Sequence, residues 1–391
     1  MNIGIVTDTY RPRVNGVVTS VDTFAREYEK MGHKVTIFAP AFLGAPEEPN
    51  VVRFPSMYLF FDPEDRLPNP WNPSFLKLER KMAEYKLDIL HTQTPFTLGY
   101  RAVRWAKKLN IPLVHTYHTL FTSYIHLYIK FIPKNWAIKL AIWMSKNYCN
   151  KCDLIITPSG QMKEAVLTYG VTTPVEVNPT GIKIGKFAKY DAAAFRTKFG
   201  IKTDEKMLLF MGRVAHEKNI DFLFRVLKRL LPEFPNTRLV VAGEGPAKAG
   251  LIELHKTMGL QGKVLFLGYF TAEDWVNCYA AADLFTFASI TETQGLVVTE
   301  AMAVGTPVVA VGAMGVLDVM KGDRGGTTVK LDEVEFTATV KKYLTDKELY
   351  AAKKKEAFEF AKEWSDHAMA VKMIGNFEKV IAKYEEKKVN S

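Results

Sequence analysis

The chain is poor in long apolar runs, in cysteine and, over one stretch, in negative charge. No segment approaches the roughly 18 to 20 uninterrupted apolar residues that a spanning helix needs, and the opening Met-Asn-Ile-Gly-Ile-Val-Thr-Asp carries no basic n-region. Neither a span nor a secretory leader is expected, which points to the cytoplasm, at most touching the inner face of the cell membrane. Three cysteines in 391 residues exclude a disulfide scaffold. Cys149-Asn-Lys-Cys152 has no second pair to complete a zinc site; two incidental thiols are the simpler reading, a redox pair the other. No metal-binding Asp-x-Asp pair is apparent either. Between Arg101 and Cys152 there are nine Lys or Arg residues and no Asp or Glu.

What is present is the composition of a folded protein, 48% hydrophobic and 24% charged. The length suits two domains of ordinary size. A formal charge of +10 points to acidic partners: nucleotides, anionic lipids or nucleic acid.

Ile3–Thr7 and Val35–Ala39 read as buried parallel strands, with helical spacing and a glycine stop over Val21 to Gly32 between them. Leu87–His91, Ile111–His115, Leu154–Ser159 and Val175–Asn178 continue the strands, with a helix from Tyr100 to Leu109. Such alternation predicts a doubly wound parallel sheet. Phe54 to Pro73, rich in proline and aromatics without either period, reads as a long irregular loop. Asn178-Pro-Thr-Gly-Ile-Lys-Ile-Gly is a Pro/Gly-rich crossing, after which the alternation restarts at Met207–Gly212, Leu239–Pro246, Val264–Tyr269 and Val308–Val311. A glycine-rich loop is expected over Gly312 to Gly326, then charged helices to the end.

The chemistry concentrates in Ser289-Ile-Thr-Glu-Thr-Gln-Gly-Leu-Val-Val-Thr-Glu300 and its continuation to Pro307. The apolar run Ala282 to Ala288 gives out there, and a short helix stopped by Gly305 follows. A helix N-terminus offers unpaired N–H groups and partial positive charge, so a phosphate near Gln294, Gly295, Leu296 and Val297 would meet backbone donors. Glu292 and Glu300 would repel that phosphate, so they suit neutral hydroxyls: Glu292 those of a sugar, Glu300 a ribose diol. The bland alternative is two glutamates on a surface helix. Elsewhere Gly16, before the first helix, suits a backbone approach to a diphosphate or a plain turn. Arg213 and Lys218, after the strand at Met207, suit a diphosphate clamp or simple surface charge. His118 lies just past a strand's carboxyl end, where open α/β sheets bind ligands and where structural histidines also occur.

The Glu-x7-Glu stretch with Gly-Leu-Val-Val-Thr-Glu-Ala-Met-Ala-Val-Gly-Thr-Pro, the Gly-Arg-x4-Lys at Gly212 to Lys218, and Tyr-His-Thr at Tyr117 to Thr119 together resemble the retaining glycosyltransferases of family 4. The resemblance implies the α/β GT-B fold: two Rossmann-like, doubly wound parallel-sheet domains facing across a cleft. Residues 1–180 would form the acceptor-side domain, joined by a C-terminal helix at 368–391, and 181–367 the nucleotide-sugar domain. It selects His118 over His115 and implies catalytic roles for His118, Arg213, Lys218 and Glu292. Gly16, Tyr269 or Phe270, Thr293, Gln294, Gly295, Leu296, Val297 and Glu300 would bind the nucleotide-sugar. Asn15 stands where that family's N-terminal loop usually has a first glycine. No cofactor or metal is implied; the nucleotide-sugar is a co-substrate, and the leaving phosphate would take the acceptor's proton in a same-face attack.

The acid-free stretch interleaves Tyr124, Tyr128, Phe131, Trp136, Trp143 and Tyr148 with Lys130, Lys134, Lys139, Lys146 and Lys151. Lysines flanking an aromatic and aliphatic face suit an in-plane membrane helix; a domain helix with a solvated basic face is the alternative, and no recognised nucleic-acid motif accompanies the charge. With His-Thr-Tyr-His-Thr-Leu-Phe-Thr-Ser-Tyr, it is most similar within the family to diacylglycerol glucosyltransferases. That implies hexose transfer to a lipid acceptor at an anionic membrane surface. A family 4 transferase with a phospholipid acceptor and GDP-mannose donor, one with a soluble acceptor, and a nucleotide-sugar epimerase are the rival readings.

Overall fold

The computed structural model describes residues 1–13, 15–45, 47–59, 62–120, 122 and 133–389. It divides into two units, Met1–Gly181 with Asp366–Ser391, and Ile182–Ser365.

The first unit is built on the parallel strands β1 (Asn2–Val6), β2 (Lys34–Pro40), β3 (Val51–Phe54), β6 (Ile89–Thr92), β7 (Leu113–Thr116), β8 (Leu154–Thr157) and β9 (Val175–Val177). Their order is β3-β2-β1-β6-β7-β8-β9, so the winding reverses between β1 and β6. Strands buried on both faces read as continuous apolar runs, which is why most of these were legible. Helices α1 (Gly16–Lys30), α2 (Pro73–Arg80), α3 (Thr97–Leu109), α4 (Lys134–Cys149) and α5 (Gly160–Thr168) connect them.

The expected irregular loop at 54–73 is corrected. Two strands, β4 (Ser56–Leu59) and β5 (Asp62–Pro68), pair antiparallel as a separate hairpin, and α2 follows. The Arg66 guanidinium lies 3.5 Å from the ring centroid of its cross-strand partner Tyr58. Met57 and Tyr58 are both exposed, so β4 shows none of the buried alternation that would have disclosed it.

The second unit has parallel strands β10 (Lys206–Met211), β11 (Thr237–Ala242), β12 (Val264–Leu267), β13 (Leu284–Phe287), β14 (Val308–Val311) and β15 (Gly326–Val329) in the order β12-β11-β10-β13-β14-β15. Here the reversal falls between β10 and β13. Its helices are α6 (Ala192–Lys198), α7 (Ile220–Leu230), α8 (Lys248–Thr257), α9 (Ala272–Ala281), α10 (Leu296–Ala303), α11 (Gly315–Val319), α12 (Glu333–Thr345) and α13 (Lys347–Lys362). The expected loop Gly312 to Gly326 is corrected too: it contains α11 and runs into β15. Gly-Thr-Thr-Val is too short and polar to announce a strand, and pairing with β14 supplies what propensity does not.

The last helix, α14 (Asp366–Val389), returns to the first unit's core. Its Ala370, Met373, Ile374 and Phe377 pack with Phe24 and Tyr28 of α1 and with Ile3, Ile5, Ile89, Val114 and Ile156 of the sheet. The Tyr28 and Phe377 rings meet edge to face at 5.8 Å. On the opposite side of the sheet Phe38, Phe54, Phe75 and Trp105 form an aromatic layer.

Candidate active site

In the second unit the two loops at the winding reversal carry the charge. After β10, Gly212 (φ +147°) and Asn219 (φ +51°) bend the chain back to start α7. Asn219 Nδ2 donates to the Ala288 carbonyl just past β13, at 3.0 Å. That stitch brings Lys218 to Glu292, Nζ to Oε2, at 2.7 Å, both side chains half-buried. Arg213, on the same loop, is exposed, and no carboxylate among the described residues pairs with it. A half-buried cation held by a carboxylate thus lies on the same loop as a free guanidinium.

The loop from β13 enters α10 through Gly295, whose φ of +87° a side-chain-bearing residue would resist. Val298 and Thr299 amides bond back to the Gly295 carbonyl, while the amides of Leu296 and Val297, ahead of them in the first turn, lack i−4 acceptors by geometry. Close packing fixes Thr293 and Gln294 from behind: Gly315 donates to the Glu292 carbonyl at 2.8 Å, and a Cβ at Gly315 would fall 2.5 Å from the Gln294 nitrogen. The end of α10 matches the glycine stop, since Gly305 has φ +79° and its amide bonds to the Met302 carbonyl.

Glu300 sits one turn and more along α10, half-buried, and its Oε2 accepts from the Tyr279 hydroxyl of α9 at 2.7 Å. Burial pushes its pKa up to about 7, against the Tyr279 hydrogen bond and the nearby Lys186 charge, which lower it. Tyr279 was not singled out from sequence. Its only signal is a tyrosine on an otherwise apolar helix face. After β12, Tyr269 is 80% exposed, whereas Phe270 packs against Phe195 and Phe199 in its own unit; only Tyr269 offers a free ring.

In the first unit the reversal is lined by polar groups, one of them a buried acid. Asn15 caps α1, its Oδ1 accepting from the Val18 amide at 2.9 Å, so the residue in the place of a first glycine is used as an N-cap. Gly16 opens α1, exposed, with open space where a side chain would lie. Asp8, past β1, is buried and accepts from Leu98 N (2.7 Å), Gly99 N (3.4 Å) and Thr94 Oγ1 (2.8 Å) at the start of α3. Burial outweighs those bonds and pushes its pKa up to about 6.

His118 is half-buried, with Nε2 at 2.7 Å from Gln93 Oε1, and desolvation lowers its pKa to about 4. His115 is fully enclosed: its Nδ1 is 2.9 Å from Thr92 Oγ1, which also accepts from Tyr148. The two histidines therefore sit in different settings, one with a free edge and one in the core.

Tyr124 and Lys130 lie outside the described residues, as do Tyr128 and Phe131. Lys134 opens α4. Along α4 Trp136 is 71% and Trp143 61% exposed, with Leu140 and Lys139 beside them; the spacing i, i+4, i+7 puts Trp136, Leu140 and Trp143 on one face. Tyr148, grouped with those aromatics by sequence, belongs instead to the buried face with Ala137, Ala141 and Ser145. Cys149 and Cys152 are buried free thiols, and desolvation raises Cys149 to about 12, so neither is a reactive thiolate at neutral pH. Among the described residues no group of three or more His, Cys, Asp or Glu is arranged to hold a metal, and no helix is long and apolar enough to cross a membrane.

Two parallel Rossmann-like sheets, the second with an Arg/Lys loop and a glycine-led helix at its reversal, define a GT-B glycosyltransferase. Residues 14–186 match the model "Glycosyltransferase Family 4" and residues 191–360 "Glycosyl transferases group 1". The chain is 36% identical to the alpha-monoglucosyldiacylglycerol synthase of Streptococcus pneumoniae over 80% of its own length and 71% of the relative's. It is 31% identical to the synthase of the same name from Acholeplasma laidlawii, over 79% and 80%. Its fold is similar to that of Anabaena HepE, solved in complex with UDP, with a TM-score of 0.78 at 18% identity over 97% of this chain and all of that one. The chain belongs to glycosyltransferase family 4.

Proposed function

We propose that the protein transfers a hexose, glucose, from a nucleotide-sugar to a lipid acceptor such as diacylglycerol, with retention at the anomeric carbon, at the cytoplasmic face of the membrane. The observation that carries the transfer chemistry is the second unit's reversal, where Arg213, Lys218 and the first-turn amides of α10 gather positive charge for a departing diphosphate. Its ribose would rest on Glu300 and its sugar hydroxyls on Glu292, while Tyr269 offers a ring face to the base.

In the transfer the C1–O bond to phosphate breaks with its electron pair going to the phosphate oxygen. The acceptor oxygen bonds C1 from the same face, and its proton passes to that phosphate oxygen. No metal is called on, because the cations take that part. The acceptor assignment draws support from the exposed Trp136–Leu140–Trp143 face with Lys139 and Lys146 beside it, a surface suited to headgroup depth over an anionic leaflet, and from the similarity to two synthases of monoglucosyldiacylglycerol.

The test is a product assay by mass spectrometry, with UDP- and GDP-sugars crossed against diacylglycerol, phosphatidylinositol and a soluble polyol. An α-glucosyl diacylglycerol from UDP-glucose is expected. A mannosylated phospholipid, a glycosylated polyol, or sugar isomerisation without transfer would each replace this reading with a rival.

A further inference from the structure

Four polar side chains run through the first unit from its core to its ligand edge. Thr116 Oγ1 is 2.7 Å from His91 Nε2, His91 Nε2 is 3.1 Å from Gln93 Nε2, and Gln93 Oε1 is 2.7 Å from His118 Nε2. The strands explain the alignment. β6 and β7 are parallel neighbours with Thr92 opposite His115, so Gln93 and Thr116 emerge side by side. His91, Gln93 and Thr116 are each at most 3% exposed. The Phe377 ring meets the His91 ring edge-on at 5.2 Å.

A primary amide has one accepting and one donating end. Bridging two ring nitrogens, it forces them into opposite states: one must carry a proton and the other a lone pair. Burial keeps both rings neutral, lowering His91 to about 3 and His118 to about 4, so each ring has one N–H.

The two ends of the amide fill nearly the same space, and the surroundings of His91 decide between them. With the amino end toward His91, both Gln93 and Thr116 would have to donate to a single lone pair. The His91 proton would then sit on Nδ1, which is buried and has no partner; an orphaned buried N–H is rare and costly. With the amide turned over, His91 Nε2–H donates to Thr116 Oγ1 and Gln93 Oε1, and Nδ1 keeps only an unused lone pair. Gln93 then donates to His118 Nε2, and the His118 proton must be on Nδ1.

We propose that Gln93 is a positioning residue that holds His118 as the neutral Nδ1–H tautomer, with His91 and Thr116 fixing the direction of the amide. No described residue accepts from His118 Nδ1. The ring therefore presents an N–H donor, which recognises a ligand oxygen such as a sugar hydroxyl or phosphate oxygen. The opposite tautomer would offer a lone pair and require a donor from the ligand. The catalytic consequence rests on the glycosyltransfer reading above; the tautomer does not.

The test uses the full chain labelled with ring-¹⁵N histidine, without ligand, at one neutral pH. Long-range ¹⁵N–¹H correlation, assigned with His118→Ala, should give His118 a protonated Nδ1 and unprotonated Nε2, with the reverse pattern at His91. In Gln93→Glu the carboxylate accepts from His118 Nε2–H, so Nε2 becomes protonated. Transfer should then fall about tenfold to a hundredfold, the loss of one well-placed hydrogen bond to a ligand. Gln93→Ala should release His118 to a tautomer mixture, with a smaller loss. A wild-type His118 protonated at Nε2, or a spectrum unchanged in Gln93→Glu, overturns the proposal even if transfer is observed. The expected spectrum with no transfer from any donor would leave the tautomer standing and remove the functional reading instead.

Discussion

The two sheets reverse their winding in the same way and equip the reversal oppositely. In the second unit the flanking loops carry Arg213, Lys218 and Glu292, with an open helix N-terminus between them. In the first unit the equivalent position holds Asp8, Gln93, Thr94 and His118, and burial keeps His118 neutral and raises the Asp8 carboxyl. One reversal gathers cations beside an open helix N-terminus; the other holds a buried acid and a neutral imidazole. The common fold places both at strand carboxyl ends; only the side chains separate their chemistry.

The largest effect that would break the comparison is at Arg213. Arg213→Ala should lower kcat by about 10²–10³, the usual loss of one donor to a developing charge, and Arg213→Lys should recover only part because an ammonium cannot fork. Equal activity in all three proteins, measured as initial rates, would show that the charged reversal is not where the diphosphate leaves.

Next comes the raised carboxyl at the first unit's reversal. Asp8 has its folded pKa moved from 3.8 to about 6, so the folded state holds a proton longer than the unfolded state. Its neutral form stabilises fully below pH 3.8, and that contribution is lost as pH rises through about 6, up to about 3 kcal/mol. Urea unfolding across pH 4 to 7 should show this slope in wild type and a flatter one in Asp8→Asn. Were the slopes identical, the acid would not be buried as described.

A smaller, about tenfold effect is expected at Glu300, whose pKa of about 7 makes it mixed at neutral pH. Accepting from a ribose diol needs the carboxylate, so the donor KM should fall as pH rises from 6 to 8, about tenfold per unit below the pKa. Glu300→Gln should have a pH-independent donor KM. Smallest is the α4 face: Trp136→Ala with Trp143→Ala should cut sedimentation with anionic liposomes several-fold, and salt should weaken wild-type binding. Binding indifferent to both changes would detach α4 from the membrane reading.

These predictions separate what could be read in the sequence from what required the fold. Strands such as Ile3–Thr7 and Met207–Gly212 were legible because burial on both faces leaves an unbroken apolar run. The Arg213 and Lys218 loop and the Glu292-to-Glu300 stretch were legible because the chemistry is local to a few consecutive residues. The hairpin at Ser56–Leu59 and Asp62–Pro68 was not, since its strands pair only with each other and Met57 and Tyr58 are exposed. Nor were Tyr279 beneath Glu300 or Gln93 between two histidines, which depend on residues 21 and 25 positions away. On α4, spacing alone grouped Tyr148 with Trp143, and only tertiary packing placed one in the core and the other in solvent.

The most direct measurement is a crystal structure of the protein with UDP or GDP bound. The diphosphate is expected against Arg213, Lys218 and the amides of Leu296 and Val297, with the ribose hydroxyls on Glu300. A diphosphate seated away from these groups, leaving Arg213 and Glu300 untouched, would contradict the account.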